Sequence, residues 1–210
     1  MLEAPKLQTI KEHKNEYPNA ICCIVLAPKF HRLGFNNIIQ RFGYLDHRSS
    51  EDIHFYCGGY GGYWAETDVP DMVEIGINKY QSGIDIPWVF SQIFFAEFIN
   101  ELERETNWRY SGGAELIVLD SSVDFSNCII FNIDKMIEDR AISNPAELFE
   151  VLIQYARKHK EIENISHLEI RNISREEVIS GIIEILPQPI RNLWNIWERG
   201  KHYTLANIKK

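Results

Sequence analysis

Ile21–Ala27 reads ICCIVLA, an apolar run with no polar residue at either its odd or its even positions. Successive side chains of a strand point to opposite faces, so a run of this kind is covered on both sides. It is short for a helix and bounded by Pro28, which has no N–H to offer a ladder. A central strand of an α/β sheet satisfies all of these features, and the rest of the chain is placed relative to it.

Downstream, Phe35, Ile38, Ile39 and Phe42 recur at helical spacing between Asn36, Asn37, Gln40 and Arg41, which predicts a helix laying one apolar stripe on that strand. Gly43 is its expected stop, and LDHRSSED (Leu45–Asp52) reads as a polar link. Ile53–Cys57 is the second strand, with Ile53, Phe55 and Cys57 on one face and His54 and Tyr56 on the other. Upstream, residues 4–17 form a short polar stretch of helical character closed by Pro18. Between Glu66 and Trp88, Pro70, Gly76, Gly83 and Pro87 predict an irregular excursion with at most one short helix, around Pro70–Lys79. Its acids, Glu66, Asp68, Asp71 and Glu74, read as a solvated loop and not as a metal cluster.

Ser91–Asn107 is amphipathic, with Phe95, Phe98, Ile99 and Leu102 facing inward. Glu115–Leu119 is the third strand, and Cys128–Ile133 the fourth, its hairpin partner. Asn144, Pro145 and Glu147 mark the start of a helix carrying Leu148, Phe149, Leu152 and Ala156. Beyond a charged break at Lys158–Glu163, Ser174 with Glu177 opens a helix that Pro187 stops, and Pro189–Arg199 forms a further short one. The expected division is an α/β domain over 1–160 and a helical C-terminal extension over 161–210; where its aromatic helix anchors another protein, the basic end (Arg199, Lys201, Lys209, Lys210) sits beside it as a mobile tail.

From Asn19 to His159 the order β-α-β-α-β-β-α resembles that of a thioredoxin-like fold, which implies a two- or three-layer sandwich around a mixed four-stranded sheet. The resemblance is topological. Residues 28–31 read PKFH where the redox cysteines would stand, and no proline precedes the third strand, so redox chemistry is not implied. A plain α/β sandwich or a flavodoxin-like variant fits the same order.

A chain of 210 residues with 45% hydrophobic and 25% charged content can bury a substantial core. Its net charge of −8 argues against nucleic acid, which needs clustered Lys and Arg. Cys22, Cys23, Cys57 and Cys128 all lie in apolar runs without CxxC spacing, and the first residues lack an apolar signal core. Reduced, buried thiols in a cytoplasmic protein account for them. No apolar run reaches the roughly 20 residues of a membrane span.

HFYCGGYGGYW (His54–Trp64) runs from the second strand into glycines interleaved with rings, and WRYSGG (Trp108–Gly113) precedes the third. If the first two strands are parallel and the third antiparallel, both stretches reach one rim of the sheet together with Lys29, His31 and Arg32. The expected ligand-binding residues are Lys29, Tyr60, Tyr63, Trp64, Trp108, Arg109 and Tyr110, whose rings, cations and free amides suit a flat or anionic, nucleotide-like molecule. The competing account makes the same rings a surface mini-core over the sheet end.

GGYGGY lacks the spacing and terminal Lys-Ser/Thr of a phosphate loop. His54 and Cys57 fall on opposite strand faces and cannot form a dyad. His31 and His47 have no second metal ligand at recognisable spacing. Asp46 with Arg48 reads as a surface pair, and Glu115 as the partner of Arg48 or Arg109. Leu193, Trp194 and Trp197 are the expected anchors for a protein partner or a second copy, the competing account being that their helix docks onto the chain's own core.

With no complete catalytic set, no cofactor and no metal implied, the expectation is a cytosolic ligand-binding or protein-interaction module of an assembly. The alternative is an enzyme acting on a nucleotide or phosphorylated small molecule, with Arg109 and Lys29 on the phosphate and His31 or Glu115 as acid or base.

Overall fold

The computed structural model describes residues 2–4, 6–18, 20–49, 51–62, 69, 71–81, 84–119, 123, 125–126, 128–165 and 202–210. In chain order the elements are β1 (Leu2–Ala4), α1 (Leu7–Glu16), β2 (Ile21–Leu26), α2 (Arg32–Asn37), a 3-10 turn (Ile39–Arg41), α3 (Phe42–Ser49) and β3 (Ile53–Gly58). There follow β4 (Tyr60–Gly61), β5 (Val73–Gln81), β6 (Ile84–Phe90), α4 (Gln92–Glu105), β7 (Glu115–Leu119), β8 (Cys128–Asn132), α5 (Ile133–Glu138), α6 (Pro145–Ile165) and β9 (Tyr203–Ala206).

Every residue of β2 is buried, as its two-faced apolarity requires. The main sheet has six strands in the order β1-β3-β2-β7-β8-β9, not the expected four. β1 and β2 run parallel to β3, whereas β7 is antiparallel to β2 and β8 antiparallel to β7. The sheet is therefore mixed. Helices cover both of its faces: the Phe55 ring meets Phe149 of α6 at 4.9 Å, while at Gly58, on the opposite face, there is room only for the Phe98 ring of α4. All four cysteines are buried and unbridged.

Three local expectations are corrected. The helix expected over Phe35–Phe42 ends at Asn37, a 3-10 turn carries Ile39 inward, and α3 runs through Gly43 to Ser49. A helical glycine costs about 1 kcal/mol, less than the roughly 1.5–3 kcal/mol gained by burying each of Phe42 and Leu45.

In place of the short helix expected around Pro70–Lys79, β5 and β6 pair as antiparallel strands and join β4 in a second, three-stranded sheet. The punctuation there marks a bulge and not a break. Gly76 (φ 71°) lies inside the register shift between Glu74 and Asn78, and Pro87 pairs with Asn78 where the ladder resumes.

The end of the chain, expected as a mobile tail, returns as β9 against β8, and Lys210 donates to the carbonyls of Glu103 and Arg104 at the end of α4. The expected helices beyond residue 165 lie outside the described residues.

Candidate ligand site beside the sheet rim

Because β2 and β3 are parallel and β7 is antiparallel to β2, the ends of β2 and β3 and the start of β7 share one rim, with Leu26 paired to Glu115. The convergence expected of Lys29, Tyr60 and the Trp108–Ser111 stretch rests on this register. The side chains, however, are used differently from one another.

Tyr60 is wholly buried, its hydroxyl donating to the Ala27 carbonyl at 2.7 Å and its ring packed against Phe42 and Phe90. It closes the sheet end from inside and offers no free face. Lys29 turns to the second sheet, where its Nζ donates to the Glu74 carbonyl at 3.0 Å. Tyr110 stacks between Phe95 and Trp108 and donates its hydroxyl to the Gly113 carbonyl at 2.7 Å. Arg109 is exposed, with Nη1 donating to the carbonyls of Glu103 and Trp108 at 3.0 and 2.9 Å. Tyr63, Trp64, Leu193, Trp194 and Trp197 lie outside the described residues.

Glu115 is the group around which the Trp108 stretch is organised. It is 3% exposed, and its two carboxylate oxygens accept from the Trp108 indole N–H at 3.2 Å and the Ser111 amide at 2.9 Å. Burial pushes its pKa above the ordinary carboxyl value and the nearby Asp134 charge adds to this, against the opposing effect of those donors. The ion pair with Arg48 or Arg109 expected from the sequence is not made: Arg48 binds Glu150 of α6 at 2.9 Å. His31 stands across the rim, its Nε2 3.0 Å from Asp134 Oδ2 and its Nδ1 accepting from the Gly34 amide that opens α2.

Beside Trp108 a cavity of about 310 Å³ opens over β8 and β9. Its floor follows from the strand register. Glu115 pairs with Asn132, and Ile130 pairs with Thr204, so these side chains share a face. Trp108, Arg109 and Ile208 form the walls, and His202, immediately before β9, lines the polar end.

His202 is 4% exposed; its Nε2 sits 2.9 Å from Asp139 Oδ2, and its Nδ1 is buried without a partner among the described residues. Periodicity could not single out His202, Asn132 or Thr204, because what gathers them is cross-strand pairing with a strand of four residues. A second hollow, about 190 Å³, is bounded by His13, Tyr17, Asp46 and His54.

Among the described residues, no group of His, Cys, Asp and Glu is placed to hold a metal ion, and no helix is long and apolar enough to cross a membrane. Comparison of the chain with family models, with curated proteins and with solved structures gave no match.

Proposed function

We propose that this chain is a non-catalytic ligand-binding module of a cytosolic assembly, and that its ligand occupies the cavity between Trp108, Arg109 and the β8–β9 ladder. The supporting observation is the cavity's composition: it joins two residues singled out by the sequence to a buried carboxylate and a buried imidazole, with Ile130, Ala206 and Ile208 supplying apolar surface. Ligand sites combine apolar walls with a few convergent polar groups in this way, and this volume is at the small end of their range. The proposal retains a thioredoxin-like arrangement for the inner strands, supported by the order β3-β2-β7-β8 and its parallel and antiparallel pairings. It also retains Leu193, Trp194 and Trp197 as anchors for a partner protein or a second copy.

Native mass spectrometry of the purified chain tests the ligand site. A co-purifying small molecule is expected on the wild-type protein and should be lost from Ile130→Trp, which fills the cavity. Retention by the filled variant would refute the assignment.

One observation favours an enzyme at the same place: the Glu115 carboxyl, raised by burial, lies in a cavity with an imidazole held by Asp139. That reading requires Glu115→Gln to abolish turnover of a cavity ligand while leaving its binding intact.

A further inference from the structure

The way the cavity's polar groups are already committed narrows what can enter it. The Asp139 carboxylate can only accept, so the His202 nitrogen beside it, Nε2, carries the hydrogen. In the neutral ring Nδ1 is left with a lone pair, and this buried atom has no partner among the described residues. Leaving a buried acceptor unmade is costly, so a ligand that supplies a donor there offsets that cost.

The strand register brings further polar side chains beside it. Glu115 pairs with Asn132, and Phe131 with Tyr203, the residue after His202. Carboxylate, amide and imidazole line the cavity together, with the Ile130–Thr204 pair beside them, and the Asn132 side-chain oxygen already accepts from the Lys135 amide at the head of α5. The carboxylate oxygens of Glu115, though each takes one N–H, keep further acceptor capacity. On the cationic side, Nη1 of the Arg109 guanidinium is turned back onto two main-chain carbonyls. Asp139 behind His202 and Asp134 near Glu115 add further negative charge.

We infer, resting on the ligand-module reading, that the cavity takes a small amphipathic molecule whose polar head donates hydrogen bonds, an ammonium or a hydroxyl, to Glu115 and His202. Its apolar part lies over Ile130, Ala206 and Ile208. An oxyanion head in the same position would be set against the Glu115 carboxylate and the His202 lone pair.

The test uses the full chain labelled with nitrogen-15, following the Trp108 indole signal (assigned with Trp108→Phe) and the His202 ring nitrogens (assigned with His202→Gln). The probes are n-butylamine, n-butanol, butyrate and n-butyl phosphate, short alkyl chains that differ chiefly in the head. Saturable shifts of both signals with butylamine, alone or with butanol, and none with the anions, are expected. His202→Phe should weaken the binding about tenfold, the worth of one hydrogen bond. Shifts produced by butyrate or butyl phosphate would overturn the donor-head assignment and leave the cavity standing as a ligand site. Silence from all four probes would overturn both.

Discussion

Two buried titratable side chains set opposite pH responses. His54 is 8% exposed, and burial, with His13 and Lys14 nearby, lowers its pKa from 6.5 to about 4. Between those values the unfolded chain binds the proton and the folded chain does not, so stability falls as pH drops through this window. The wild-type protein should lose up to about 3 kcal/mol across it by urea unfolding, and His54→Gln should lose measurably less. Glu115 runs the other way. Its raised pKa means that the folded state holds the proton longer, so stability declines as pH rises from the ordinary carboxyl value toward the raised one. Gln at this position faces the Trp108 or the Ser111 donor with an NH₂ and is less stable at every pH. The gap in melting temperature between wild type and Glu115→Gln should nonetheless narrow as pH rises, and a constant gap would mean that Glu115 ionises normally.

The link between β3 and β4 joins three elements at one residue. Gly59 has φ 77°, its N–H donates to the Ala4 carbonyl of β1, and its own carbonyl accepts from Ser91 at the head of α4. A Cβ there would lie 2.6 Å from Phe95 Cβ and 2.9 Å from Phe95 Cα, atoms that cannot swing aside. Gly59→Ala should destabilise by about 2–4 kcal/mol, combining left-handed strain with overpacking, with the midpoint of urea denaturation moving and its slope unchanged. This glycine belongs to the His54–Trp64 stretch, and its neighbour Tyr60 is one of the rings that the sequence assigns to a ligand. Composition could not distinguish a bend exposed to solvent from a bend packed under a helix, because what decides is the approach of Phe95 from a distant segment. The same limitation explains the missed hairpin. Gly76 and Pro87 punctuate a loop and a bulged strand alike, and only the pairing with β4 distinguishes them. Elements with a strong internal period, such as α4 with Phe95, Phe98, Ile99 and Leu102 all buried, were legible from the chain alone.

At the scale of the whole molecule, β2 was readable because covering both faces leaves no choice of side chain, and the mixed sheet followed from the order of elements. The strands at the two edges were not, since β1 has three residues and β9 four, too few to show a period. The C-terminal segment is where this matters most. Tyr203 packs on Phe131 at 5.9 Å, Ile208 exchanges main-chain bonds with Phe125 and Asn107, and Lys210 caps the carbonyl end of α4. The last residues thus tie the β8 edge to α4 and supply the β9 side of the cavity. A chain ended at Lys160 would uncover the β8 ladder and lose the burial of Tyr203, worth roughly 1.5–3 kcal/mol by itself. Such a fragment should unfold at least about 3 kcal/mol more easily or elute as aggregates in size-exclusion chromatography, since an unpaired edge is a template for pairing with another copy. A monomeric fragment with an unchanged midpoint would show that β9 stabilises nothing. The division at residue 160 would then be a true domain boundary, with the strand that crosses it merely resting against the sheet.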